Sequence, residues 1–262
     1  MKRLGTEMKI KIIEFAKKGL SLNKMSKITG KSKSTLYYHV KTLVRKVSKI
    51  NLDSLTDWER GYLVGFFFGD GNLAFPKGEY SYRVVFNFNK NTEKEIANRI
   101  TTLLKKTGGN PFEVSFKNFR NKSLLRVVCI SKTLFNYLKE YTVYKKKTKG
   151  KNIISRKSYL KNFEHWSTEF KFGFIAGMID SDGYIGLDKG SIRVLITSSS
   201  KKLSDQIYFM LNSLKIVSFL QYSKFNNNWT IRISTPQFNI YRNKINCLKG
   251  RWSNGMTLPS HH

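Results

Sequence analysis

The chain has 262 residues, of which 48 are Lys or Arg and only 17 are Asp or Glu, so its formal net charge is +31. Hydrophobic residues make up 40% and aromatic residues 14%, which favours a folded core over a disordered basic tail. No apolar run approaches the ~20 residues of a membrane-spanning helix, and two cysteines exclude a disulfide framework or a cysteine zinc site. The composition predicts an intracellular polyanion-binding protein, cytoplasmic, nucleoid-associated or organellar, with nucleic acid as its leading partner.

Residues 1–46 are predicted to form a small all-helical unit. The pattern is an amphipathic helix, a turn at Gly19, a second helix between Ser21 and Gly30, and a basic third helix. It resembles a helix-turn-helix DNA-binding domain, whose recognition helix places its first turns near base edges. The resemblance implies DNA contacts from five residues of the third helix: Lys33, Ser34, Thr35, Tyr38 and His39. The alternative is a three-helix packing module without DNA contacts.

The rest of the chain contains one series of elements twice. Residues 47–56 are predicted to be a linker, and the same order of helical and alternating patterns then occurs in residues 57–144 and 167–255. Residues 145–166, which begin with a basic run, are predicted to link the two halves. The expected fold class is therefore α+β, with two pseudo-symmetric αββαββα halves, saddle-shaped antiparallel sheets and the small all-α N-terminal helix-turn-helix domain.

Each half begins with an apolar helix that carries small residues at every fourth position and ends in an acid. Gly61–Gly71 (GYLVGFFFGDG) and Gly173–Gly183 (GFIAGMIDSDG) match at a constant offset of 112 residues (182 − 70). A face of small residues allows a second helix to approach closely, so Asp70 and Asp182 would meet where the helices end. That end of a helix is unfavourable for an anion. A shared divalent cation would relieve the repulsion, and hard oxygen ligands favour Mg²⁺.

Gly71 and Gly183 directly follow the two acids. Both are predicted to end their helices in the left-handed conformation. The alternative interpretation of the two segments is a pair of buried glycine-rich helices that end in ordinary turn aspartates. Two copies in register within a strongly basic chain favour the paired-acid interpretation.

At these two segments the chain resembles the LAGLIDADG homing endonucleases in their single-chain, two-motif form. The nine-residue motif is LVGFFFGDG over residues 63–71 and IAGMIDSDG over residues 175–183. In the first copy Phe68 replaces the earlier acid of the motif, which leaves Asp70 in place. The resemblance covers about residues 57–255. It implies a site-specific double-strand DNA endonuclease that uses Mg²⁺ or Mn²⁺ and reads a nonpalindromic site as a monomer with pseudo-twofold symmetry.

The resemblance also implies positions for the site residues. Asp70 and Asp182 would hold the metal, with the backbone carbonyls of Gly69 and Ser181 as additional ligands. Basic or polar side chains around the scissile phosphates would come from the ends of the second strands and from the segments after the last helices: Lys90, Ser198, Lys147 and Arg251. The sheet faces that lie open to the duplex would contribute further contacts: Arg83, Asn87, Asn89 and Arg193.

Two alternatives stay open from the sequence. The first is a protein without cleavage activity on the same fold, either a DNA-binding regulator or an intron RNA maturase. The second is a different nuclease or a transposase with an acidic triad, for which Asp180, Asp188 or Glu113 would have to supply the third acid.

Overall fold

The computed structural model describes residues 5–17, 20–44, 50–74, 82–117, 121–149, 152–188 and 191–249. The chain divides into two compact units, Met1–Lys49 and Ile50–His262. In the part of the chain that is described, no helix is both long and apolar enough to cross a membrane.

The described residues of the smaller unit form three helices in the predicted order: α1 (Thr6–Lys17), α2 (Leu22–Thr29) and α3 (Lys33–Val44). Helix α2 begins and ends where its capping residues predict. The Ser21 side chain accepts a hydrogen bond from the Lys24 N–H, and Gly30 ends the helix with a left-handed φ of 65°. The buried core of this unit comes from all three helices: Ile12, Met25, Leu36 and Val40.

The larger unit has the predicted order of elements in each half. The first half contains α4 (Asp57–Asp70), β1 (Gly71–Ala74), β2 (Arg83–Asn89), α5 (Lys94–Lys106), β3 (Phe112–Lys117), β4 (Ser123–Ile130) and α6 (Lys132–Glu140). Strands β5 (Thr142–Lys149) and β6 (Asn152–Leu160) connect the halves. The second half contains α7 (Thr168–Asp182), β7 (Gly183–Asp188), β8 (Ser191–Ser198), α8 (Lys201–Ser213), β9 (Ser218–Ser223), β10 (Asn228–Ile233) and α9 (Thr235–Ile245).

In the part of the chain that the structure describes, each half has a four-stranded antiparallel sheet, ordered β1-β2-β4-β3 in the first and β7-β8-β10-β9 in the second. Alternation along the strands separates a helix-covered face from an open face. In β2, Val84, Phe86 and Phe88 are buried, whereas Arg83 and Asn87 on the opposite face are partly exposed. One continuous apolar core joins the helix-covered faces of both sheets to α4 and α7.

Residues 145–166, predicted as the linker between the halves, contain regular structure. Most of the segment belongs to the antiparallel β5–β6 pair, whose register shifts between Val143 and Tyr144. β-Branched and aromatic residues on both sides of the lysine run favour strands here despite the charge. Strand β6 is fixed to α8, because the Gln206 side chain accepts from the Leu160 N–H at 2.8 Å and donates to its carbonyl at 3.0 Å.

Residues 47–56, the other predicted linker, also contain regular structure. The second unit begins at Ile50, and the side chains of Ile50 and Leu55 are buried in its core. The Thr56 side chain then caps α4 in a reciprocal capping box with Glu59. Apolar residues at these positions draw residues 50–56 onto the larger unit.

Candidate active site

Helices α4 and α7 pack with their backbones in contact. A Cβ atom added at any of four glycines would come closer than 3.0 Å to the backbone of the opposite helix: Gly61, Gly65, Gly173 and Gly177. At Gly69 an added Cβ would overlap the Ser181 side chain and lie 3.2 Å from the carboxyl carbon of Asp182. The small residues therefore bring the acidic ends of the two helices together, as their spacing predicts.

Gly177→Ala tests this contact. A new Cβ would lie 2.5 Å from the backbone nitrogen of Phe66, which cannot move without shifting α4. We expect a loss of about 1–3 kcal/mol in the free energy of unfolding, larger than the ~1 kcal/mol that alanine gains in helix propensity. Chemical denaturation measures the change. The matched control is Gly5→Ala, where an added Cβ meets nothing within 4 Å, and equal stability of both variants would contradict the close packing.

Gly71 and Gly183 are not left-handed, so that prediction is wrong. Their φ values are −88° and −84°, and each residue leads directly from its helix into a strand. Glycine is required here for space. An added Cβ would come closer than 3.0 Å to the backbone of Phe67 or Ile179, one turn back in the same helix.

The carboxylates of Asp70 and Asp182 share one electrostatic environment. Desolvation, together with the negative charges of Asp182 and Glu93, raises the pKa of Asp70 to about 6, although Lys249 and Lys157 oppose the rise. Desolvation also raises the pKa of Asp182, although its side chain is partly open to water, and the same two lysines oppose it. Two acids at the ends of touching helices, flanked by two lysines, form the core of the candidate site.

Lys157 of β6 lies at the end of α4. Its ammonium donates to the carbonyls of Phe67, Gly69 (3.1 Å) and Gly71 (2.8 Å), and it lies 4.8 Å from the centre of the Phe67 ring. Desolvation lowers the pKa of this ammonium to about 8, although the charges of Asp182 and Asp70 act in the opposite direction. A positive charge is thus held against the negative end of the helix dipole, beside both acids.

Lys249 occupies the corresponding place at the end of α7. Its ammonium donates to the Ser181 carbonyl at 2.5 Å. The two carbonyls that were predicted as metal ligands, those of Gly69 and Ser181, therefore both accept from lysines. The sequence comparison of the two halves predicted Lys147 and Arg251, whose side chains lie outside the described residues. Among the described lysines, Lys157 and Lys249 lie beside the acids.

Asp180, the earlier acid of the second motif, points into the protein. Its carboxylate is fully buried and accepts hydrogen bonds from the Tyr62 hydroxyl and from the backbone N–H groups of Leu248 and Lys249. Burial raises its pKa, which these hydrogen bonds and the Arg99 guanidinium oppose.

None of the three candidate third acids joins Asp70 and Asp182 in a metal-holding group among the residues described. Asp180 is turned inward, Glu113 is exposed on β3, and the side chain of Asp188 lies outside the described residues. The described residues contain no group of three or more His, Cys, Asp and Glu side chains able to hold a metal ion.

Asn87 connects the first acid to the open face of its sheet. Its side chain donates to the Asp70 carbonyl at 3.0 Å and accepts from the Nε of Arg126 at 3.1 Å. The Arg126 guanidinium in turn lies 4.2 Å from the centre of the Phe116 ring. Asn87 was predicted as a DNA contact, whereas Arg126 was missed. Its place between Leu125 and Val127 in an alternating strand is the signal that identifies it as an open-face residue.

Of the other predicted catalytic residues, the structure describes the side chains of Lys90 and Ser198. Lys90 lies exposed in the turn after β2, and the Ser198 hydroxyl accepts from the Ser200 N–H at 3.1 Å. Strand register pairs Phe86 with Gly71 and Ile196 with Gly183, so the second-half counterpart of Asn87 is Thr197. Lys147 of β5 pairs with Ile154 of β6, and its side chain lies outside the described residues, as does all of Arg251.

The predicted DNA contacts lie on two surfaces. Arg83 and Asn89 are on the open face of the first sheet. Arg193 lines a cavity of about 1020 Å³ on the second sheet, together with Arg232 and Phe219. In the small unit, Lys33, Ser34 and Tyr38 are exposed on α3, whereas Thr35 and His39 are half-buried.

Part of this chain is similar to a known domain family. Residues 169–246 match the family model of the LAGLIDADG-like domain. A search of curated proteins finds no match.

The fold is similar to that of solved homing endonucleases. Mesophilic variants of the homing endonuclease I-DmoI are 19% identical, with 72% of this chain and 89% of theirs covered and a TM-score of 0.52. I-DmoI in complex with DNA and Mn is 18% identical, with coverage of 74% and 97% and a TM-score of 0.51. The homing endonuclease I-WcaI bound to its DNA recognition sequence is 13% identical, with coverage of 79% and 87% and a TM-score of 0.55. At these identities the likeness shows the fold alone. The chain therefore carries a LAGLIDADG-like domain in its second half and shares the two-sheet fold of the homing endonucleases I-DmoI and I-WcaI.

Proposed function

We propose that this protein is a DNA endonuclease that hydrolyses both strands of a specific double-stranded site with a divalent cation held by Asp70 and Asp182. The observation that carries the proposal is the meeting of these acids at the ends of two touching helices, each end with its own lysine. The net charge of +31 and the fold shared with DNA-bound endonucleases support DNA as the substrate.

The donor set fits Mg²⁺ or Mn²⁺. Mg²⁺ is commonly bound through one or two carboxylates together with substrate phosphates and water, and these two carboxylates repel each other until a cation is shared. The carbonyls of Gly69 and Ser181 already accept from lysines, so we assign the ligand role to the carboxylates. A bound cation would activate water and neutralise charge at the scissile phosphate.

Other side chains near the acids would stabilise charge on the phosphate and position the DNA. The ammonium groups of Lys157 and Lys249 lie beside the acids, where positive charge stabilises the developing charge on a phosphate. Asn87 would orient the Asp70 end of α4 and hold Arg126 toward the duplex. Contributions from Lys90, Ser198, Lys147 and Arg251 to catalysis stay predictions.

DNA recognition would use the open sheet faces and the small unit. Arg83, Asn89, Arg126 and Arg193 would contact base edges or phosphates, since arginine pairs with guanine and asparagine with adenine in the major groove. Helix α3 would add contacts from Lys33, Ser34, Thr35, Tyr38 and His39 in the manner of a recognition helix. Two unlike halves in one chain would let a monomer read a nonpalindromic site.

The test is selection of bound sequences from a randomised double-stranded DNA library, followed by incubation of the selected site with the protein in Mg²⁺ and in EDTA. We expect both strands to be cut in Mg²⁺ and neither in EDTA. A protein that binds a selected site but cuts neither strand in Mg²⁺ or Mn²⁺ would instead be a non-cleaving regulator, and preferential binding of structured RNA would favour a maturase.

The raised pKa of Asp70 predicts that, without a bound cation, this carboxyl lowers the free energy of unfolding by an amount that depends on pH. The folded state holds a proton on this carboxyl up to about pH 6, the unfolded state only to about pH 3.8, so the free energy of unfolding falls as the pH rises between these values. Asp70→Asn removes that charge. In EDTA, we expect the Tm of the variant to exceed that of wild type by an amount that grows between pH 4 and 6 and is constant above. A difference that shrinks with rising pH would contradict the assignment.

A further inference from the structure

Asp180 and Lys249 are distant in the sequence but are joined by hydrogen bonds. Asp180 accepts from the Leu248 N–H at 2.7 and 3.0 Å and from the Lys249 N–H at 2.7 Å. The side chain of Lys249 then reaches the Ser181 carbonyl, one residue before Asp182. A buried carboxylate that accepts two adjacent backbone N–H groups holds that backbone in one position, because its alternative is an unsatisfied buried charge.

Residues of the first half also hold the segment that carries Lys249. Arg99 of α5 lies 3.8 Å from the Asp180 carboxylate and donates to the Asn246 carbonyl at 2.8 Å, and its guanidinium is 5.1 Å from the centre of the Tyr62 ring. The Trp58 indole donates to the Lys244 carbonyl at 2.8 Å. Segment 244–249 is therefore hydrogen-bonded to α4, α5 and α7, and its last residue is Lys249.

The two lysines are held by different means. The first motif has Phe68 where the second has Asp180, and Phe68 packs in the core. Lys157 depends instead on β6, which Gln206 fixes at Leu160. Loss of the Asp180 carboxylate should thus disturb Lys249 and leave Lys157 in place.

We propose that Asp180 is a positioning residue for Lys249: it fixes the backbone of residues 248 and 249 so that the Lys249 ammonium stands beside Asp182, without contacting the substrate itself. This inference rests on the proposed endonuclease function for its effect on cleavage. Its structural content is independent of activity.

Asp180→Asn is the central variant, since it keeps the shape and one acceptor but loses the charge. We expect the single-turnover rate for one target strand to fall roughly 10- to 100-fold, as for a lost hydrogen bond to a charged group, with nicked DNA accumulating and the Kd for the target unchanged. The effect should be non-additive with Lys249→Met, so that the double variant is no slower than Lys249→Met alone. Asp205→Asn, which affects only an exposed pair with Lys201, is the matched control.

A purely structural role for Asp180 predicts a different result. Both strands would then slow equally, target binding would weaken, and the rate losses of Asp180→Asn and Lys249→Met would multiply. Any of these outcomes would overturn the inference.

The second readout does not need cleavage. Lysine acylation followed by mass spectrometry reports the exposure and reactivity of each ammonium in the whole protein. In Asp180→Asn we expect the labelling rate of Lys249 to rise several-fold relative to wild type while that of Lys157 stays the same. Equal changes at both lysines, or none at Lys249, would refute the positioning role. Tyr62→Phe, which removes one bond to Asp180 but neither backbone N–H, should leave Lys249 labelling near the wild-type rate, and a rise equal to that in Asp180→Asn would contradict a role through the two backbone bonds.

The two readouts separate the two proposals. If wild type cuts no DNA but Asp180→Asn selectively exposes Lys249, the proposed endonuclease function fails and the positioning role stands. If wild type cuts and Lys249 labelling is unchanged in the variant, the positioning role fails alone.

Discussion

Asp70→Asn and Asp182→Asn are each expected to reduce double-strand cleavage by about 10³-fold or more while leaving target binding intact. Asparagine keeps the size of the side chain but removes the negative charge that would hold the cation, and cation-activated water supplies the nucleophile in this class of hydrolysis. Binding persists because the positive charge and the open sheet faces are unchanged. Cleavage assays in Mg²⁺ and Mn²⁺ measure the first effect, and gel-shift titration in Ca²⁺ measures the second.

Asp53→Asn is the control for general loss of acidic charge, because the Asp53 side chain is 92% exposed and lies outside the site. It should cleave at the wild-type rate. Full cleavage by both Asp70→Asn and Asp182→Asn would show that the paired acids do not hold the cation.

Lys157→Met is expected to lower the cleavage rate by about 10²–10³-fold, the usual effect of removing one group that stabilises transition-state charge. The ammonium lies beside both carboxylates and against the end of α4, and methionine fills similar space without charge or donors. The same change leaves three backbone carbonyls without their lysine donor, so we also expect a lower Tm.

Two comparisons separate catalysis from stability. Lys161→Met, at an exposed lysine just beyond β6, should match wild type in both rate and Tm. Lys157→Met should bind its target normally at temperatures well below its Tm and still cut slowly. Wild-type cleavage by a folded Lys157→Met protein would remove this lysine from the mechanism.

The pairing of the two helices and the position of their acids could be predicted from local sequence patterns. Glycine at every fourth position has few explanations other than close helix packing, and a repeat at a constant offset indicates that the two copies pack on each other. Strand alternation likewise separated buried Val84 and Phe86 from open-face Arg83 and Asn87, because side chains alternate sides whatever the strand packs against.

The lysines could not be located in the same way. Comparison of the two halves pointed to Lys147 and Arg251, because the halves were expected to deliver their basic residues after equivalent helices. After α6 the chain forms the antiparallel β5–β6 pair, and Lys157 reaches the site from the second of these strands. A run of lysines carries no local signal for which one turns inward. Which lysine turns inward depends on whether another element places backbone carbonyls close enough to accept a hydrogen bond from it.

The glycine-and-acid repeat and the strand alternation determined, from residue spacing alone, that two halves join through paired helices with an acid at each tip, since periodicity is a local property of the chain. Contacts between distant segments settled the rest: Lys157 and Lys249 at the helix ends, Asp180 turned inward onto residues 248 and 249, and Gly71 and Gly183 in extended conformation. Each of these depends on a partner that is remote in sequence or on the direction in which the chain continues, and such partners are defined only once the core has packed.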